Sequence, residues 1–445
     1  MNVRFPQLTA LAAVALVACV LPAQAQNLTD LYQAARSYDA GYQSALSAAN
    51  ATLARGEQAK AGIWPTAGFQ VGASRTLSDS SSAANNSHFG GQSATLSASQ
   101  PLYRPSNWAN YAQGEKQAFI AKAQLQTAEQ DLIIRAAQSY FDVLAALDTL
   151  TFVQAQKAAV AEQLASAKRN FEVGTSTITD TREAQARYDL VIAQEIAAEN
   201  DVQVKKMALD QLVGKSNIEP KPLLIPLTLP PLAPNDVSQW VAAATGSSET
   251  SHPSITQARL ALEVAQLETT KAEAGNKPTI DLNASYGANR NQGSSISTAS
   301  THSTSGTIGL AFNLPLFAGF AVQNRIKETL ALEDKARSDL DVAKRAVAQA
   351  TRAAFFGVQS GLSSVKAFEA AEFSTQSALD ANKLGYQVGV RINIDVLNSQ
   401  SQLFQTKRDL AKARYDVLLG GLKLRLANGT LTEADLAPVN ALLAK

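Results

Sequence analysis

Along most of the chain, apolar residues recur every three or four positions, the spacing of one helical face. Leu132, Ala136, Tyr140, Val143, Leu147 and Leu150 form such a stripe inside Asn107 to Phe171, a stretch with no proline and one glycine, Gly114. A helix over that stretch is about 100 Å long at 1.5 Å per residue. The same period is predicted from Asn27 to about Gly62, from Asp180 to about Val213, and from Pro253 to about Gly275. In two places the period drops to two. Phe69, Val71 and Ala73 alternate with Gly68, Gln70, Gly72 and Ser74; Ala94, Leu96 and Ala98 then alternate with Ser93, Thr95, Ser97 and Ser99, stopping at Pro101. Ile280, Leu282, Ala284 and Tyr286, followed by Ile308, Leu310, Phe312 and Leu314, repeat the pattern. Two β-hairpins are predicted, about 66–102 and 279–316, each with one apolar and one small polar face. Loops rich in Ser and Asn, including Ser80 to Ser82 and Asn289 to Ser305, divide the strands.

The landmarks of the first half return in the second. Pro65 answers to Pro278, Pro101-Leu102-Tyr103 to Pro315-Leu316-Phe317, and Tyr140-Phe141 to Phe355-Phe356. Phe171-Glu172-Val173-Gly174 before Thr179-Asp180 answers to Tyr386-Gln387-Val388-Gly389 before Ile394-Asp395, and the two tip glycines are 215 residues apart. A near-constant offset is the mark of a tandem duplication. The expected organisation is a leader at 1–25, a first repeat at 26–214, a connector at 215–250 and a second repeat at 251–445. Pro220, Pro222, Pro226, Pro230, Pro231 and Pro234 exclude regular helix from the connector. Each repeat reads helix, hairpin, long helix, tip, helix, with tips at 171–180 and 386–395. A tip is an α-α hairpin: the glycine serves one helix C-terminus, and the acidic residue favours the next N-terminus. In the last helix Val396, Leu403, Leu410, Val417 and Leu424 recur every seven residues, beside small Ser399, Thr406, Ala413 and Gly420. That repeat implies left-handed supercoiling with close backbone approach.

Composition narrows the function. Aromatics are 6% of 445 residues, which fits long, closely packed helices better than a conventional enzyme core. Lys and Arg number 39 against 38 Asp and Glu, with no basic stripe, so no nucleic-acid partner is expected. Arg4, the apolar Leu8 to Val20 and the Ala23-Gln24-Ala25 site read as a secretion signal. Leu16-Val17-Ala18-Cys19 also has the form of a lipoprotein signal, so cleavage after Ala25 and acylation of Cys19 both stay open. Cys19 is the sole cysteine, which excludes an intramolecular disulfide. His88, His252 and His302 are far apart, and no phosphate-binding loop or Cys/His metal spacing occurs, so neither enzyme activity nor a cofactor is expected.

Four strands of about ten residues with lipid-compatible alternation match transmembrane strands. Four cannot close a barrel, and open edges are prohibitive in lipid, so the chain has to oligomerise. A trimer supplies twelve strands and six helical hairpins. Trp64, Trp108, Tyr103, Tyr286 and Phe317 near the strand ends suit an aromatic girdle. The competing reading is a trimeric coiled-coil surface or structural protein, adhesin-like and without channel activity. It explains the helices but not the one-sided alternation. An enzyme on a helical scaffold is a third.

Several segments carry a resemblance. They are Asn27-Leu28 with Tyr32-Gln33-Ala34-Ala35-Arg36, Tyr140-Phe141-Asp142-Val143-Leu144, Thr151-Phe152-Val153-Gln154-Ala155-Gln156-Lys157, both tips, and Asp395-Val396-Leu397 leading to Ala413-Arg414-Tyr415. Over essentially the whole mature chain the sequence resembles the TolC family of Gram-negative outer-membrane channel proteins. The resemblance implies an α + β membrane protein: a homotrimer with a twelve-stranded outer-membrane β-barrel continuous with a periplasmic α-helical barrel. It further implies a passive exit duct for proteins or small toxic molecules. Its expected partners are outer-membrane lipid, a periplasmic adaptor (membrane fusion) protein and an inner-membrane ABC or RND transporter. By the same resemblance Thr179, Asp180, Tyr386 and Arg391 form a polar lock that closes the periplasmic end. Asp395 lines the constriction and sets cation selectivity. Asn398 stands where the family often has a second acidic residue, which weakens the expected acidic ring. Val173, Gly174, Val388 and Gly389 form the turns on which the adaptor docks.

Overall fold

A computed structural model describes residues 27–78, 87–216, 218–224, 228–246, 252–292 and 299–444 of the protein. The expected leader, Cys19, and parts of the polar loops and the connector lie outside these residues. The elements are α1 (Leu28–Tyr38), α2 (Ala40–Ala59), β1 (Thr66–Ser78), β2 (Ser87–Tyr103), α3 (Pro105–Glu172), α4 (Ile178–Val213), α5 (Val237–Thr245), α6 (Pro253–Glu273), β3 (Thr279–Gln292), β4 (Ser300–Asn313), α7 (Ala321–Gln387), α8 (Asn393–Asn428) and α9 (Leu436–Asn440). The protein is mostly helical with one small antiparallel sheet. No helix among the described residues is long and apolar enough to cross a membrane.

The chain divides into two compact units, each drawn from both halves of the sequence. One takes in residues up to Gln43, Ala128–Ala244 and Gln349–Lys445; the other takes in Ser44–Thr127 and Thr245–Ala348.

The second unit holds the sheet, ordered β1-β2-β3-β4 and antiparallel throughout. Register aligns like with like. Ala67, Ala98, Ala284 and Ile308 form one cross-strand row, and Phe69, Leu96 and Tyr286 form another. Between them runs the polar row Gly68, Ser97, Ser285 and Thr307. The apolar face is bare: Phe69 is 71% and Leu310 68% exposed. The small polar face lines a hollow of about 550 Å³. A one-residue slip would exchange the two faces of a strand, so this register is strongly specified wherever the two faces meet different solvents.

The strands run 13 to 17 residues, longer than the ten expected. The first hairpin pairs on through Ser78 opposite Ser87, and two further corrections lengthen β2, β3 and β4. First, β2 continues past Pro101 to Tyr103, with a register irregularity there. Its pairing with β1 begins at Ser99 opposite Thr66, so the missing proline N–H falls where that neighbour makes no demand. Second, Asn289–Gln292 and Ser300–Ser305, expected as loop, are strand, with Asn289 opposite Ser303. Backbone ladders need no apolar side chain, so a polar extension of a hairpin is invisible to hydrophobic periodicity.

The first unit is a helical bundle. Leu28, Leu31, Tyr32 and Ala35 bury one face of α1, whose N-cap is the Asn27 carboxamide accepting the Asp30 N–H. The helix expected from Asn27 to about Gly62 is broken at Asp39. Its carboxylate accepts the Tyr42 N–H at 2.7 Å and two hydrogen bonds from Arg135 at 2.9 Å. Of the predicted stripe, Leu132, Ala136, Tyr140 and Val143 are within the core, whereas Leu147 and Leu150 are half-buried. So are the heptad positions Val396, Leu403, Leu410, Val417 and Leu424 of α8. Tyr140 and Phe141 meet edge to face, Phe141 packs on Tyr415, and the Tyr415 hydroxyl donates to Asp148 at 2.6 Å. Burial raises the Asp148 carboxyl above the usual range, partly offset by that bond. The connector is tied to the chain end by a bridge between Leu223 and Leu443, and the Tyr140 hydroxyl donates to the Lys221 carbonyl.

Candidate functional site: the paired helical tips

Both tips belong to the first unit and turn in the same way. At the end of α3 the Thr175 N–H reaches back to the Asn170 carbonyl at 2.8 Å; at the end of α7 the Val390 N–H reaches the Gly385 carbonyl at 2.9 Å. Such 6→1 bonds need a left-handed residue, supplied by Gly174 (φ 78°) and Gly389 (φ 77°). Nothing lies within 4 Å of where a β-carbon would sit at either glycine, so conformation alone selects them. Val173 and Val388 are exposed at 73% and 65%, apolar and unpartnered on the outside of each turn.

The next helices do not begin at the acidic residues, as the spacing suggested, but two residues earlier. In α4 the N-cap is Thr177 and Asp180 is the third helical residue. The Thr177 hydroxyl accepts the Asp180 N–H at 3.2 Å, and the Asp180 carboxylate accepts the Thr177 N–H at 3.1 Å. This reciprocal capping box satisfies two otherwise unpaired donors. Ser176 and Thr177 hydroxyls add bonds of 2.6 and 2.9 Å to the same carboxylate oxygen. Burial works to raise this carboxyl's pKa, but the bonds from Ser176 and Thr177 outweigh it and hold the pKa below the ordinary value. The pattern Thr177-x-x-Asp180 is the signal by which sequence reasoning could have found this box.

In α8 the N-cap is Ile392, which offers no side-chain cap. Asp395, again the third helical residue, faces Arg391 at 3.7 Å. The Tyr386 hydroxyl accepts from the Asn170 amide at 3.2 Å. Thr179 and Asn398 are exposed, and Asn398 accepts from Arg187 at 2.8 Å. Asp180, Tyr386 and Arg391 line one polar cavity of about 870 Å³, together with Asn170, Asn393 and Gln400. Within the single chain Asp180 is bonded to its own turn, while Tyr386 and Arg391 are bonded to Asn170 and Asp395. Three of the four expected lock residues therefore share a cavity without a direct clasp among them, and Thr179 is exposed outside its lining. Gln163, Asn170, Arg187 and Asn393, which link one tip to the other, were missed, because each is an ordinary polar residue whose partner lies in a distant segment.

Chemically the site offers hydrogen bonds and exposed ion pairs, each contributing about 0–1 kcal/mol. No group of three metal-ligating side chains is assembled among the described residues.

A four-stranded sheet with a bare apolar face, in a chain whose long helices are paired through glycine-turned tips, defines the protomer class of outer-membrane channels. The comparisons agree. The family model described as outer membrane efflux protein matches residues 31–215 and again 246–430. The chain is 34% identical to the outer membrane protein TolC of Escherichia coli over 95% of its own length and 86% of that protein. It is 28% identical to the alkaline protease secretion protein AprF of Pseudomonas aeruginosa, over 94% and 87%. Among solved structures, the outer membrane protein VceC of Vibrio cholerae shares the fold at a TM-score of 0.77 and 19% identity, covering 90% of this chain and 96% of that one. The chain belongs to the outer membrane efflux protein family.

Proposed function

We propose that this outer-membrane exit duct works as a homotrimer. Three sheets close a twelve-stranded barrel, and six helical hairpins gather into a periplasmic tube gated at its tips. The observation that carries this reading is the sheet: a continuous apolar face is bare, and the outer edges of β1 and β4 have no strand partner among the described residues. Lipid accommodates the apolar face, and the open edges demand closure with further copies. The duct catalyses nothing. An adaptor protein docks at the tip turns around Val173, Gly174, Val388 and Gly389, and an inner-membrane ABC or RND transporter supplies the energy and selects the cargo. Membership of the efflux protein family and kinship to the alkaline protease secretion protein AprF support both small molecules and proteins as cargo.

Thr179, Asp180, Tyr386 and Arg391 form the lock, its clasp made between neighbouring protomers in the closed ring. Three copies of Asp395 give the constriction its preference for cations, and Asn398 leaves that preference weaker than two acidic rings would. Detergent-purified protein should run as a trimer and give stable channels in planar bilayers. A monomer, or a trimer that inserts without conductance, would instead favour the coiled-coil surface protein.

A further inference from the structure

Asn393 has no accessible surface, although it comes directly after an exposed turn. A buried amide needs partners, and this one does not find them by capping its own helix. Its nitrogen donates to the main-chain carbonyl of Asp180 at 3.3 Å, and its oxygen accepts from the Gln163 amide. Those partners lie on α4 and α3. One side chain of the second tip therefore bonds both helices of the first hairpin. Leu397, one turn on and also fully buried, belongs to the cluster of Val160, Leu164, Ala167 and Ala184, with Ile394 packed against it. Asn393 itself has no accessible surface, while its partners Gln163 and Asp180 are half-buried at the rim of the polar cavity, so losing its bonds would leave a buried amide unpaired.

We propose that Asn393 is a buried latch: a positioning residue that holds the second tip against the first and that must be released for the duct to open. The inference rests on the reading of the tips as the gate. Its mechanical basis is the stiffness of one helical turn. Asp395 lies two residues beyond Asn393 in α8, and its N–H is bonded to the Ile392 carbonyl at 3.1 Å. Asp395 cannot leave the channel axis without carrying Asn393 away from Gln163 and Asp180. The exposed Arg391–Asp395 pair is rearranged at little cost in water, whereas losing the amide's bonds leaves a buried group unpaired until the hairpins part. The latch, and not the exposed pair, therefore sets most of each protomer's resistance to opening.

The test is single-channel recording of the full trimer in planar bilayers. The variants are Asn393→Ala, Arg391→Ser, and a Gln163→Cys/Asn393→Cys pair in an Arg391→Ser background, the pair recorded oxidised and then reduced. Trimer content and melting are measured in parallel. Asn393→Ala should raise occupancy of the larger-conductance state about tenfold in trimers that still assemble. The oxidised pair should abolish the conductance gain of Arg391→Ser, and reduction should restore it. A structural role alone would lower melting in Asn393→Ala without raising its occupancy of the larger-conductance state. If Arg391→Ser raises conductance while Asn393→Ala and oxidation of the pair change nothing, the latch is wrong and the gate reading survives. If none of the variants changes conductance, both fall.

Discussion

The two tips share a turn and differ in how the next helix begins. After Gly174 the chain builds a self-contained cap, in which Thr177 and Asp180 satisfy each other and Ser176 adds a third hydroxyl. After Gly389 the corresponding start has no side-chain cap; Arg391 and Asp395 pair within the tip, while Tyr386 and Asn393 bond to the other hairpin. In the proposed gate, the tip that satisfies itself is the fixed wall, and the tip whose helix start is completed by its neighbour is the part with two arrangements. The duplication thus supplied two copies of one punctuation mark, and the residues just past the glycine divide the labour between them.

The division can be broken most severely at Leu397. Leu397→Ala should destabilise the chain by about 2–5 kcal/mol, seen in chemical denaturation, because truncating a fully buried side chain leaves a cavity between the hairpins. Val388→Ala, on the exposed turn of the same tip, should change stability by less than about 0.5 kcal/mol. Equal effects at the two positions would deny that α8 is docked on the first hairpin.

Next in size is the cap. Thr177→Ala should cost about 0.5–2 kcal/mol, whereas Ile392→Ala removes no cap bond and should leave the α8 start intact. Acid sharpens the same contrast. Asp180 is held below its ordinary value of 3.8, so its contribution is present above that pH and is lost as pH falls through the lowered folded value. Acid titration of stability should therefore lose part of its lowest limb in Asp180→Asn. An unchanged limb would show that the cap adds nothing to the first tip.

The smallest effects belong to the exposed lock. Tyr386→Phe and Arg391→Ser each remove contacts worth about 0–1 kcal/mol, and each should raise the resting conductance, the pair together more than either alone. Unaltered conductance in the double variant would exclude these residues from the gate.

Much of this architecture was legible along the chain. Period-two alternation located both hairpins, and the tip glycines have the positive φ that their place after a long helix predicted. The seven-residue repeat named the buried face of α8. The features that escaped were set by distance. The break at Asp39 joins a local cap on the Tyr42 N–H to a partner almost a hundred residues away, Arg135, which the sequence pattern does not show. The sequence places Asp180 both at the start of the next helix and in the lock; its bonds to Thr177 form the helix cap, and its lock contact is the one proposed between protomers. Asn393 carries no signal in the sequence pattern; its burial comes from packing against α3 and α4, which no local pattern encodes.

The central claim is that the second tip, not the first, carries the conduction filter. Reversal potentials across a salt gradient test it directly, compared among the wild type, Asp180→Ala and Asp395→Ala trimers in planar bilayers. The account predicts a marked loss of cation preference in Asp395→Ala and a potential near that of the wild type in Asp180→Ala. An unchanged potential in Asp395→Ala, or the larger shift in Asp180→Ala, would contradict it.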